Sequence, residues 1–174
     1  MWVVAMDDVR SSAPPQRLEI LDARDGAVMG LWRNVLVASL RAMPDLDQLK
    51  RIHTVQREIA PRFPKGFAAL VILPSLSPNL LSREVRDMAE RIIGSAAPEV
   101  LGLAQVIERG GFVSAAIRSV ATGIMLVSRP RWPTRIFTGV EPAAAWVSSW
   151  VEGESRPGAT RKLTEAIRAD ARLA

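Results

Sequence analysis

The sequence predicts an α/β protein: a mixed, largely parallel sheet flanked by helices, with an antiparallel hairpin at its start and an added carboxy-terminal helix. Three observations predict it. Short apolar segments alternate with segments of helical periodicity through most of the chain, which requires crossover connections between parallel strands. Residues 67–73 (FAALVIL) are apolar without interruption, as in a strand covered on both faces. Asp25-Gly26 separates two short strand-like segments, and both residues tolerate the positive φ of a tight hairpin turn.

The elements follow in order. Residues 1–16 carry the breaker cluster Ser11-Ser12-Ala13-Pro14-Pro15 and read as a loose leader; the amino terminus has no basic start and is no secretory signal. Strands are expected at residues 17–22, 27–32 and 35–40, with Arg33-Asn34 as the second turn. Asp45 opens a helix, and Gln48, three residues on, is placed to complete a capping box. Leu49, Ile52, Ile59 and Phe63 share one face of it, and Pro61 and Pro64 close it. The strand at 67–73 comes next. Ser82 then caps a helix whose Val85, Met88, Ala89, Ile92 and Ile93 form one buried stripe. Residues 100–107 are a strand, Gly110-Gly111 leads into a long apolar helix at 112–128, and residues 134–138 (TRIFT) are a final strand. Pro142 suits the first turn of a helix over 143–151, with Trp146 and Trp150 one turn apart. Residues 153–160 read as a polar linker, and a last helix over about 159–173 has Leu163, Ala166, Ile167 and Leu173 as its apolar stripe. The domain reading is a leader (1–16), an α/β domain (17–152), and a linker with an amphipathic helix (153–174).

Composition bounds the function. The 174 residues are 48% hydrophobic and 24% charged, close to globular averages. No cysteine is present, which excludes disulfides, a thiolate nucleophile and a cysteine zinc site. One histidine, His53, excludes any site needing two imidazoles. The net charge of +5 invites a nucleic-acid reading. The arginines are dispersed from Arg10 to Arg172 with no dense run, so nucleic acid is not the partner expected. The 17 residues of 112–128 would span roughly 26 Å as a helix, short of a ~30 Å hydrocarbon core, so no transmembrane segment is expected and a cytoplasmic location is.

The last third carries a resemblance. A strand at 101–107 precedes a segment ending Ser119-Val120-Ala121-Thr122-Gly123; then come Pro133-Thr134-Arg135-Ile136-Phe137 and Ala144-Ala145-Trp146-Val147. With the element order over residues 26–151, this resembles the STAS domain of bacterial anti-sigma-factor antagonists, and more closely its SpoIIAA-like branch. The resemblance implies a non-enzymatic regulatory or scaffolding module that docks onto other proteins. Regulatory STAS domains place a phosphorylatable Ser or Thr, commonly beside an Asp, after the strand matching 67–73. Here Ser75, Ser77 and Ser82 occupy that stretch with no acidic neighbour before them, so the resemblance does not extend to the anti-sigma-factor system. Ser82 and Ser77 are the phosphosite candidates, Ser82 being first of all a helix cap.

No catalytic, cofactor-binding or metal site emerges. His53 has no orienting partner in the pattern. Gly110-Gly111 lacks the rest of a nucleotide-binding fingerprint. The carboxylates Asp45 and Asp47 suit a helix start, and Glu84, Asp87 and Glu90 alternate with arginines on a solvated face. The densest local charge is Arg129, Arg131 and Arg135 around Trp132, where guanidinium and indole suit stacking and anion contacts. The segment 112–128, with Phe112 and Ile124 among its apolar positions, carries only a narrow polar line at Ser114, Arg118 and Thr122. That is more apolar surface than one side of a sheet absorbs. The terminal helix offers Leu163, Ile167 and Leu173 in return, either to its own body or to a neighbour. The function expected is therefore a protein–protein interaction module whose surface draws on Arg129, Arg131, Trp132, Arg135, Phe112, Ile124, Leu163 and Ile167. A two-fold homodimer is the expected assembly. The alternatives are a carrier of small apolar ligands or lipids and a weak nucleic-acid binder.

Overall fold

The computed structural model describes residues 17–42, 44–73, 82–95, 99–107, 132–170 and 173. The expected leader, the helix at 112–128, Gly110-Gly111, Ser75, Ser77, Phe112, Ile124, Arg129 and Arg131 lie outside the described residues. Six strands form one sheet in sequential order: β1 (Glu19–Arg24), β2 (Ala27–Trp32), β3 (Val35–Leu40), β4 (Phe67–Leu73), β5 (Val100–Ile107) and β6 (Thr134–Phe137). β1 to β3 are antiparallel, and β3 to β6 are parallel. The expected mixed sheet with an opening hairpin is what the chain builds. β1 lies two residues later than the pattern suggests; it runs on to Arg24 because the two-residue turn at Asp25-Gly26 pairs Arg24 directly with Ala27. Both turn residues take positive φ, 48° and 73°. Arg33-Asn34 forms the second turn, with Arg33 at a φ of 52°.

Four α-helices are found among the described residues: α1 (Leu46–Ile59), α2 (Arg83–Ser95), α3 (Val140–Val147) and α4 (Arg156–Ala169), with short 3-10 turns at Ala60–Arg62 and Ser148–Trp150. No described helix is long and apolar enough to cross a membrane. Asp45 and Gln48 make the reciprocal capping box: the Gln48 amide donates to Asp45 Oδ1 at 2.7 Å, and the Asp45 amide donates to Gln48 Oε1 at 3.0 Å. Ser82 caps α2 by accepting from the Val85 amide at 3.3 Å. The supposed linker is shorter than its composition suggests. Ser155 accepts from the Gly158 amide at 3.3 Å and Pro157 fits the first turn, so α4 starts at Arg156.

Alternation along the strands separates two cores. On one face, Met29, Leu31, Leu36, Ala38, Leu40 and Phe67 pack with Leu49, Ile52, Val55 and Ile59 of α1 and Val85 and Ile92 of α2. On the other, Val28, Trp32, Val35, Val37, Leu70 and Val106 pack with α3 and α4. β2 and β3 are buried at every position because helices cover both faces. The carboxy-terminal helix belongs to this second core, not to a separate appendage: Leu163 is 0% and Ile167 3% exposed. This corrects the expectation that the two form part of an interaction surface. An apolar stripe shows that residues need burial, and here their own chain supplies it. Leu173 is also buried, and its carbonyl accepts from Ser39 Oγ at 3.3 Å.

Candidate functional site

The sheet has two outer edges, and they differ. β1 carries a register irregularity between Ile20 and Asp22. Its charges are already paired, Glu19 with Arg62 at 2.8 Å and Asp22 with Arg24 at 2.8 Å. A bulge and paired charges blunt an edge against further pairing. β6, the other edge, has neither feature. The Leu103 amide donates to the Pro133 carbonyl at 3.0 Å, and Leu103 registers with Thr134. In a parallel ladder this turns the backbone of Arg135 toward β5 and points the N–H and C=O of Thr134 and Ile136 outward. Among the described residues no strand pairs on that outer side.

Beside this edge lies an aromatic strip. Arg135 and Phe137 project to the face that α3 covers, being in register with Ala104 and Val106 of the second core. Phe137 meets Trp146 with ring centroids 5.8 Å apart, and Trp146 meets Trp150 edge to face at 4.7 Å. The Arg135 guanidinium carbon lies 5.6 Å from the Trp146 ring centroid. Phe137, Trp146 and Trp150 are half-buried and Arg135 is exposed. Trp150 can pack this closely on β5 only because position 102 is glycine: a Cβ there would lie 2.5 Å from Trp150 Cη2. Arg135 has no ion pair among the described residues, whereas Glu141, on the first turn of α3, pairs with Arg168 at 3.7 Å. The strip is therefore aromatic and cationic.

The sequence points to Arg129, Arg131 and Arg135 around Trp132; in the structure Arg135 lies instead over Trp146. Trp132 is 8% exposed and sits in the core beneath α1 and α2. Arg135 is in register with Ala104 of the second core, so the two side chains lie on opposite faces of the sheet. Trp132 is accordingly no part of a surface site. Trp146 takes its place, reached only because α3 folds back over the sheet. Its four-residue spacing from Trp150 was the one signal in the sequence.

Two further charged groups hold the fold. At the amino ends of the parallel strands, Glu154 accepts from Lys162 Nζ at 2.8 Å and from Arg33 Nη2 at 3.2 Å. The Lys162 hydrogen bond, aided by the charges of Lys162 and Arg33, holds the Glu154 carboxyl below its ordinary value. This joins the start of α4 to the β2–β3 turn. At the carboxyl ends, Asp22 is held below its ordinary value chiefly by the Arg24 hydrogen bond. Arg51 of α1 reaches Asp22 at 3.6 Å and Asp25 at 3.4 Å. Gln48 donates to the Asp25 carbonyl, so α1 and the first hairpin form one unit. His53 is half-buried on α1. Among the described residues no three His, Asp or Glu side chains are grouped to hold a metal ion. Compared with known proteins, the chain matches no family model and no curated sequence.

Proposed function

We propose that the chain is a non-enzymatic protein-docking module of STAS-like, SpoIIAA-like architecture, acting in the cytoplasm, and that it engages its partner along the β6 edge. The observation that carries this reading is the half-buried Phe137–Trp146–Trp150 strip with Arg135 stacked on it, lying beside a strand edge that no other strand pairs among the described residues. Tryptophan and arginine are the side chains most enriched among residues whose truncation costs about 2 kcal/mol or more of binding. Half-buried rings held by neighbours lose little freedom when a partner covers them. The sequential mixed sheet with helices on both faces supports the architectural part of the reading.

The test is quantitative affinity capture by the purified chain from lysate of its source cells, with Trp146→Ala and Arg57→Ala as matched baits. Arg57 is exposed on α1, away from the strip. A shared set of captured proteins that Trp146→Ala loses and Arg57→Ala keeps, with all baits melting cooperatively, supports docking at the strip. Equal capture by the two variants refutes the site, and a wild-type bait that captures nothing refutes the function.

A further inference from the structure

We propose that the β6 edge receives an extended, acidic segment of the partner as a seventh strand. Main-chain hydrogen bonds at Thr134 and Ile136 would hold it, with a carboxylate on Arg135. The proposal rests on the reading that this edge docks a protein, and adds the occupant.

The register carries the first part. The outward amides and carbonyls of Thr134 and Ile136 offer two donors and two acceptors on one line, the arrangement by which an extended peptide extends a sheet. The opposite edge is blunted by its irregularity and its bridged Glu19 and Asp22, so the two edges are not equivalent. Charge carries the second part. Arg135 is exposed, fixed on Trp146, and without an ion pair among the described residues, so the charge presented beside the open backbone is positive. A strand laid along β6 brings its alternate side chains onto the same face as Arg135, within reach of a cross-strand pair. A carboxylate there completes a charge-assisted hydrogen bond. A second copy of this chain is the poorer occupant. Pairing β6 with itself gathers two Arg135 guanidinium groups on one short ribbon, and like charges across strands destabilise it.

The probe is a fluorescein-labelled seven-residue peptide alternating Glu with Val, followed by fluorescence anisotropy. The comparison probes are the Lys-for-Glu peptide and the Glu–Val peptide N-methylated at every amide. Wild-type protein should bind the Glu–Val peptide at least about tenfold more tightly than the Lys form, more so at low ionic strength, and should not bind the N-methylated form. Arg135→Glu should weaken binding about tenfold or more. Ile136→Pro removes an outward donor without touching the β5 ladder and should do the same, whereas Ile136→Ala should stay within about threefold of wild type. Circular dichroism melts establish that the variants fold; if Ile136→Pro does not, the N-methylated peptide with wild-type protein decides. Equal binding of Lys and Glu peptides, or undiminished binding of the N-methylated form, overturns the proposal. So does failure of the Glu–Val peptide to bind. Capture of partners that Trp146→Ala abolishes and Ile136→Pro preserves overturns the added strand while leaving docking at the strip intact. Concentration-dependent dimerisation abolished by Ile136→Pro gives the edge to a second copy and overturns it too.

Discussion

Replacing Gly102 with alanine tests whether the aromatic strip is seated as described. The new methyl would lie 2.5 Å from Cη2, 2.9 Å from Cζ3 and 3.1 Å from Cζ2 of Trp150. Ordinary carbon contacts begin at about 3.5 Å, so the ring must retreat by roughly 1 Å. It cannot retreat freely, because Trp146 stands edge to face against it at 4.7 Å and Trp146 in turn touches Phe137. Overpacking of this kind costs about 1–3 kcal/mol, and alanine recovers about 0.5–1 kcal/mol over glycine within a strand. The net expectation is a loss of about 1–2 kcal/mol, or roughly 2–8 °C in Tm for a chain of this length. Urea unfolding followed by circular dichroism gives the number. Trp150→Phe provides the internal control, since its single ring lacks the outer carbons that the added methyl would strike. In that background Gly102→Ala should cost less than about 0.5 kcal/mol, so the double-mutant cycle should show at least about 0.5 kcal/mol of coupling. Wild-type stability of Gly102→Ala, or equal losses in the two backgrounds, would refute the packing of Trp150 on β5.

Leu163→Ala should lower stability by about 2–5 kcal/mol, as for a fully buried leucine, and leave the mass measured by light scattering unchanged; a change of oligomeric state with little loss of stability would place Leu163 between chains. Glu154, whose folded pKa is depressed below the ordinary 4.5, stabilises the fold above that pH, and its contribution is lost as the pH falls through the lower folded value. Urea midpoints measured from pH 7 down to pH 3 should therefore fall less steeply for Glu154→Gln than for wild type, the two curves converging at the acid end; parallel curves would show that the Lys162 and Arg33 contacts carry no linkage.

Local chemistry was legible in the sequence, and partnership was not. Asp25-Gly26 and the Asp45–Gln48 box specify their turn and cap through neighbours within three residues, so residue type alone announces them. The continuous apolar run of β4 announces a strand covered twice, and β4 lies between β3 and β5 with helices on both faces. Trp132 and Trp146 show the limit. Both lie near Arg135 in the chain, yet one is buried in the core beneath α1 and α2 and the return of α3 brings the other onto the guanidinium. Leu163 and Ile167 show the same limit. Their stripe demands burial but does not say against which surface. Gln48 adds a role that no pattern signals: besides capping α1, it ties that helix to the first hairpin through the Asp25 carbonyl.

The sequential order of the six strands has a consequence for how the protein is made. As the chain leaves the ribosome, each new strand finds its sheet neighbour already in place, with no earlier strand to displace. Helices α1 and α2 are both encoded before Ile107, so most of the layer they form can close early, with Trp132 joining it later. The opposite face has no such provision. Trp32, Val35, Val37, Leu70 and Val106 wait for α3, α4 and Leu173 to cover them. At about 5–20 residues per second, the stretch from 108 to 173 takes roughly 3–13 s to synthesise. For that interval the nascent sheet has one side largely covered by α1 and α2 and one side still waiting for α3 and α4. It is then most exposed to chaperones and to other nascent copies, and the arrival of α4 ends the exposure.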